Sequence, residues 1–137
     1  MNRILLFVCF LLLFMHGFSQ TPVTYNSAEI LVNLKKLHVL GSVLYIAAHP
    51  DDENNSLLPY LAKEKLYRTA YLSLTRGDGG QNLIGDEQGV DLGLIRTQEL
   101  IAARRIDGVE QYFTRAYEFG YSKSADETLA IWDKEKI

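Results

Sequence analysis

Cysteine is the residue that this chain lacks most clearly. The 137-residue sequence holds one cysteine, Cys9, and it lies in an apolar N-terminal run that we expect to be removed from the mature protein. A chain without cysteine forms no disulfide and offers no thiolate to a metal ion. Imidazole and carboxylate groups are the metal ligands that remain.

Positive charge is also sparse. The sequence has 14 Lys and Arg against 17 Asp and Glu, which gives a formal net charge of −3. Nucleic-acid-binding surfaces need clustered positive charge, so we expect no nucleic-acid partner.

The apolar run at the N-terminus is typical of a secretory signal. Residues 1–19 have a basic residue, Arg3, near the start, then an apolar stretch and small residues at the end, the pattern of a cleaved signal peptide. We expect cleavage after Ser19 and an exported mature protein, periplasmic or extracellular, with no stable membrane insertion. The alternative is a retained anchor helix, but the apolar core is shorter than the about 20 residues of a membrane span.

The remaining chain, residues 20–137, alternates between helical and strand patterns. Such alternation predicts an α/β fold with a mostly parallel sheet and helices on both faces. The predicted helices are Ala28–His38 (capped by Ser27), a segment between Asp52 and Lys65, Leu92–Arg105 and Ala125–Lys136; the predicted strands are Ser42–Ala48, Arg68–Leu74 and Val109–Phe113. Three strands make a thin sheet with an exposed edge, so we expect this chain to be the N-terminal portion of a longer domain.

One imidazole and three carboxylates follow the first predicted strand directly, in the segment His49–Glu53. The carboxyl ends of parallel strands are where ligands bind in such sheets. His49 and Asp52, three residues apart, can both reach one divalent ion such as Zn²⁺, and Asp51 can act as a base on a water molecule. The alternative is that the aspartates cap the next helix while His49 makes a hydrogen bond, and the residues alone do not decide between the two.

A glycine-rich loop, Thr75–Asp91, follows the second predicted strand and should open at the same edge of the sheet. It has polar side chains that can hold sugar hydroxyls, among them Arg76 and Asp78, so we interpret it as a sugar-binding rim. A flexible turn is the alternative.

The next predicted helix carries arginines with different expected roles. Arg96 lies one turn from Glu99, which indicates either an ordinary helical ion pair or an arginine that reaches the ligand pocket. Arg104 and Arg105 are expected on a solvated face.

Three motifs together resemble the PIG-L/LmbE-like zinc-dependent de-N-acetylases. Ala48–Glu53, with the sequence Ala-His-Pro-Asp-Asp-Glu, is similar to the family signature. Gly77–Gly80, after a strand ending in Thr75, is similar to its Thr-x-Gly-Glu-x-Gly element, with Asp78 in place of Glu. Arg96–Ala103 is similar to its Arg-x-x-Glu-Leu helix. The resemblance covers roughly residues 41 to 113 in the family's order.

The resemblance implies a Rossmann-like three-layer sandwich that removes the acetyl group of an N-acetylated amino sugar by zinc-dependent hydrolysis. Carried over residue by residue, it assigns His49 and Asp52 as metal ligands, Asp51 as the catalytic base and Arg96 as a substrate-contacting residue. The family takes its third zinc ligand from a later histidine, and no histidine follows His49 here. The third ligand is therefore expected beyond residue 137, and this chain alone is expected to be inactive.

Two other functions remain as alternatives. A carbohydrate-binding module of the same fold would need no base at Asp51. A metallohydrolase for another bond, such as a phosphoester, often uses two metal ions and more carboxylates than this sequence offers.

Overall fold

The computed structural model describes residues 24–80, 82–132, 135 and 137. The predicted signal segment, residues 1–19, lies outside them. The chain divides into two compact units, Met1–Val32 and Asn33–Ile137, and the sheet and the motifs belong to the second.

Three parallel strands form the sheet, in the order β1-β2-β3. They are β1 (Ser42–Ala47), β2 (Arg68–Ser73) and β3 (Glu110–Phe113). In register, Tyr45 lies beside Tyr71, and Tyr71 lies beside Gln111. The parallel sheet confirms the predicted α/β class, because parallel strands need a crossover between them and the chain supplies one after β1 and one after β2.

The helices are α1 (Ser27–Lys36), α2 (Leu57–Pro59), which continues as a π-helical turn over Tyr60–Glu64, α3 (Val90–Asp107) and α4 (Ala125–Ile131). The first is capped by Asn26 rather than by the predicted Ser27, because the Asn26 side chain accepts the Glu29 N–H at 2.9 Å while the Glu29 carboxylate accepts the Asn26 N–H at 2.8 Å. Ser124 caps α4 as predicted.

The segment after the His49–Glu53 motif is less helical than predicted. Regular helix begins only at Leu57, because the Asn54 side chain accepts the backbone N–H groups of Ser56 and Leu57 at 3.1 and 2.9 Å. Proline has no N–H and fits the first turn of a helix, and Pro59 lies in that turn as the third residue of this short helix. Residues 49–55 are thus left as a loop that presents its side chains at the sheet edge.

The core lies on one face of the sheet. Leu58, Ala62, Tyr71, Leu100 and Val109 form the buried apolar cluster, and Tyr45, Ala47 and Phe113 pack against it. These residues come from α2, the π-helical turn, α3 and all three strands or their ends, so the two crossover segments cover the same face. On the other face, Leu44 and Ile46 are more than half exposed.

Candidate active site

Two core tyrosines hold the backbone of the motif loop. The hydroxyl of Tyr71, whose side chain is fully buried, donates to the carbonyl oxygen of His49, and that of Tyr45 lies 3.3 Å from the carbonyl oxygen of Asp52. Burial raises the pKa of Tyr71 to about 12, so it keeps its proton at neutral pH. These two contacts hold the loop to the core at both ends of the segment His49–Asp52.

His49 and Asp52 lie together at the end of β1. The Asp52 Oδ2 atom accepts the backbone N–H of His49 at 3.0 Å and lies 3.3 Å from His49 Nδ1. Both side chains are about half exposed. Asn54, and not Asp51 or Asp52, accepts the first N–H groups of α2, so the helix-cap part of the alternative is wrong. Its other part, a hydrogen bond made by His49, is present.

Glu118, which sequence reasoning missed, lies on the other side of the imidazole ring. Its Oε2 atom is 2.7 Å from His49 Nε2, and its side chain is only 7% exposed. The segment 114–123 has no regular helix or strand, so no periodicity marked it. The only available signal was its position after β3, at the carboxyl edge where His49 also lies.

Asp51 extends from the loop toward solvent, and Arg96 of α3 lies beside it. The Asp51 carboxylate is 3.9 Å from the Arg96 guanidinium, and their side chains are 74% and 21% exposed. Gly77, with φ +69°, leaves space for Arg96, because a Cβ there would lie 2.8 Å from the arginine Cδ. The acidic group is thus accessible to a bound molecule while one cation faces it.

Two open grooves meet at Asp51 and Arg96. One, of about 780 Å³, is lined by His49, Glu118, Tyr121 and glycines of the loop after β2. The other, of about 520 Å³, runs between the segment Asn82–Glu87 and the first turns of α3. A substrate in either groove would reach the Asp51 carboxylate.

Arg76 and Asp78 make contacts within the protein. The Arg76 guanidinium lies 4.2 Å over the centre of the Phe113 ring and donates to the Thr97 hydroxyl at 2.9 Å. The Asp78 Oδ1 atom accepts the backbone N–H of Glu118 at 3.2 Å. Their predicted role in substrate binding stays a prediction, while in this structure they hold the loop and the Glu118 segment in place.

The donor set at the end of β1 suits part of a zinc site. Two ligands of one tetrahedral zinc ion, bound at about 2.0–2.2 Å, lie about 3.3–3.6 Å apart, and His49 Nδ1 and Asp52 Oδ2 have this separation. Within the residues that the structure describes, no group of three His, Cys, Asp or Glu side chains is arranged to hold a metal ion. His49 and Asp52 therefore fit two positions of a site that needs a further ligand.

Comparison with known proteins decides the family. The family model described as PIG-L, GlcNAc-PI de-N-acetylase, matches residues 44–137, which is more than half of the chain. The chain belongs to the PIG-L family. No curated protein matches it significantly. The predicted resemblance is confirmed, and the PIG-L match includes every residue of the site described above.

A buried ion cluster in this PIG-L chain corrects one prediction. Arg104, expected on a solvated face, is only 7% exposed. Its Nη2 atom lies 2.6 Å from Glu53 and 2.7 Å from Asp107, because Glu53 at the end of the motif loop reaches down to α3. Its neighbour Arg105 is exposed, as predicted.

In the part of the chain that the structure describes, no helix has the length and apolar character to cross a membrane.

Proposed function

We propose that the natural gene product carrying this chain is a zinc-dependent de-N-acetylase that hydrolyses the acetamide of an N-acetylated amino sugar in a GlcNAc-type glycoconjugate. Membership of the PIG-L family supports amide hydrolysis of this type. The observation that carries the proposal for this chain is the pairing of His49 and Asp52 at 3.3 Å beside an exposed Asp51.

His49 and Asp52 would hold the zinc ion, with a third ligand from outside the described residues. Both groups are donors that Zn²⁺ accepts, and His49 Nδ1 lies 3.3 Å from a carboxylate oxygen of Asp52. Two electron donors at that separation are stabilised by a cation between them. A bound zinc ion would polarise the acetamide carbonyl and increase the acidity of water in the site.

Asp51 supplies the base in this mechanism. Its exposed carboxylate accepts a proton from the water molecule that attacks the amide carbon, and the C–N bond then breaks. The proton passes to the departing amine, and the products are the free amino sugar and acetate. Arg96 lies 3.9 Å from the Asp51 carboxylate and lines both grooves, where its guanidinium can contact a hydroxyl or anionic group of the substrate.

The larger groove suits a sugar ring. Tyr121, at its rim, is 86% exposed and offers an aromatic face of the kind on which a pyranose ring packs. Loop glycines let backbone amides approach the bound hydroxyl groups. The groove is open to solvent, so the aglycone of a glycoconjugate can extend out of it.

The test is acetate release from a panel of N-acetylglucosamine derivatives by the natural full-length gene product. We expect release that stops on chelation and returns on addition of Zn²⁺. His49→Gln should abolish it, whereas His38→Gln, a change at an exposed histidine, should leave it intact. Chelator-resistant release, or stoichiometric zinc and sugar binding without turnover, would contradict the proposal.

Export is part of the proposal. We expect the mature protein in the periplasm or outside the cell, beginning at Gln20 after removal of residues 1–19. N-terminal sequencing of the protein from fractionated cells tests this, and an intact Met1 in the cytoplasmic fraction would contradict it.

A further inference from the structure

We propose that Glu118 is a positioning residue for His49, which fixes the imidazole so that Nδ1 faces Asp52; this inference rests on the proposed function. Glu118 is placed here as the hydrogen-bond partner of a metal ligand and not as a ligand itself. Histidines that bind metals almost always donate their other ring N–H to a carboxylate, a carbonyl or water, which fixes the orientation of the ring.

The hydrogen bond fixes which ring nitrogen carries the proton. An ionised carboxylate only accepts hydrogen bonds, so His49 Nε2 must donate across the 2.7 Å to Glu118 Oε2. An imidazole that binds a metal ion is neutral, and with its proton on Nε2 its lone pair is on Nδ1, the atom 3.3 Å from Asp52. Glu118 is almost fully buried, while His49 is half exposed. The ring is therefore held through Nε2, on its buried side, and Nδ1 lies on the other side.

The distances from the two ring nitrogens of His49 to their carboxylate neighbours show which neighbour can share a zinc ion with the ring and which is its hydrogen-bond partner. Ligands of one tetrahedral zinc ion lie about 3.3–3.6 Å apart, which agrees with Nδ1 and Asp52 at 3.3 Å. At 2.7 Å, Nε2 and Glu118 are too close for a shared ion but at the ordinary length of a charge-assisted hydrogen bond.

Glu118 is itself held by three neighbours. Its Oε1 atom accepts the backbone N–H of Gly120 at 2.8 Å, and its Oε2 atom lies 3.3 Å from the Thr75 hydroxyl. Its own backbone N–H donates to Asp78 at 3.2 Å. A carboxylate with both oxygens occupied has one orientation, as a positioning residue requires.

Gly79 makes the approach of Glu118 possible. A Cβ atom at residue 79 would lie 2.7 Å from Glu118 Cγ and 2.9 Å from its carbonyl oxygen, closer than atoms in contact can come. The glycine-rich loop therefore has a second purpose beside any contact with substrate, because it leaves the volume in which Glu118 sits.

The experiment compares Glu118→Ala, Glu118→Gln and Gly79→Ala with the wild-type natural gene product and with Glu64→Gln, a change at an exposed glutamate. We would measure zinc affinity by competition with a chromophoric chelator, the Co²⁺ absorption spectrum, and kcat and KM at saturating zinc. Nitrogen-15 NMR of the zinc-loaded protein would report which nitrogen of His49 carries the proton.

We expect zinc affinity to fall about 10–100-fold in Glu118→Ala, with the Co²⁺ ligand number unchanged. Glu118→Gln, which keeps an acceptor oxygen, should recover part of the loss. Gly79→Ala should reproduce the loss although the carboxylate is intact, and the Nε2–H form of His49 should lose its dominance in Glu118→Ala. Glu64→Gln should match the wild type.

Three results would overturn the inference. Zinc affinity within twofold of wild type in Glu118→Ala and Gly79→Ala would show that Glu118 does not position His49. Loss of a ligand from the Co²⁺ spectrum would make Glu118 a ligand. Absence of zinc binding in the wild type would contradict the proposed function as well. Failure of the inference alone would instead leave zinc binding intact in the wild type and in the variants. If Glu118→Ala does not fold, Glu118→Gln and Gly79→Ala decide.

Discussion

Arg96 and Arg104 lie eight residues apart on α3, and each faces a carboxylate of the same motif loop. Arg104 is buried and lies 2.6 Å from Glu53, whereas Arg96 is partly exposed and lies 3.9 Å from an exposed Asp51. The two acidic residues are only two positions apart in the sequence. One helix therefore holds the loop at Glu53 and leaves it accessible at Asp51.

The difference in burial indicates that the Glu53–Arg104 pair stabilises the fold, whereas the Asp51–Arg96 pair is placed to take part in the reaction. The side chains of the Glu53–Arg104–Asp107 cluster are only 6–12% exposed, so each charge depends on the others and the loop cannot leave α3 without exposing them. The Asp51–Arg96 pair keeps its solvent contact, and so it can exchange a water molecule or a substrate group for part of that contact.

The largest expected effect is on stability, from Arg104→Met. Removal of the arginine leaves two buried carboxylates without their cation, and the loss of one partner from a buried pair costs about 3–5 kcal/mol. Urea unfolding measures the change. Arg105→Met, at the adjacent exposed position, is the control and should stay within about 0.5 kcal/mol. A loss of unfolding free energy below about 1 kcal/mol in Arg104→Met would show that the buried cluster does not stabilise the fold.

Asp51→Asn should affect catalysis with little effect on folding. The amide is isosteric with the carboxylate but accepts no proton, so we expect kcat to fall about 10²–10⁴-fold, the usual contribution of a general base. Steady-state acetate release and urea unfolding measure the two effects, with Asp126→Asn, another exposed aspartate, as the control. An undiminished rate would refute the role assigned to Asp51.

Double-mutant cycles compare the two pairs directly. We expect the coupling free energy of Asp51 with Arg96 to be about 0.2–1 kcal/mol, as for exposed ion pairs, and that of Glu53 with Arg104 to be clearly larger. Equal coupling free energies would mean that burial does not distinguish the pairs. Unfolding free energies of the single and double variants provide the cycles.

The smallest effect is expected at a third pair, Arg68–Glu110, which serves as the exposed reference. Hydrogen bonds from Arg68 lower the pKa of the Glu110 carboxyl from 4.5 to about 2. A lowered folded-state pKa contributes stability above the unfolded-state value, and that stability is lost as pH falls from about 4.5 toward 2. Solvent screens this pair, so the loss should be smaller than for Arg104.

Arg68→Gln should remove the larger part of this contribution, leaving the hydrogen bond from Tyr112, and should make the stability profile between pH 5 and 2 less steep. Urea midpoints across that pH range measure it. An identical acid profile in the variant would show that the pair adds nothing.

The strands were predictable from the sequence because each is a short apolar run that ends in polar or turn residues. β1, β2 and β3 agree with the predictions to within one residue at each end. The segment after the motif was less predictable. A helix was expected between Asp52 and Lys65, but the Asn54 side chain starts it late and Pro59 lies where the α-helix gives way to the π-helical turn.

The motif residues were predictable as a group because they follow one strand. His49, Asp51 and Asp52 are neighbours in sequence, and the strand end delivers them together. Glu118 and Arg104 were not, because both act across long sequence separations: Glu118 reaches His49 over 69 residues, and Arg104 meets Glu53 over 51. No local pattern records such contacts, and a charged side chain in a helix is expected on its surface until its partner is known.

Zinc-edge anomalous diffraction from crystals of the zinc-loaded natural gene product tests the central claim most directly. We predict one zinc ion about 2.0–2.2 Å from both His49 Nδ1 and an Asp52 oxygen, with Asp51 unligated and Glu118 still bonded to Nε2. A zinc ion on the Nε2 side, shared with Glu118, or no zinc ion at this loop, would contradict the account.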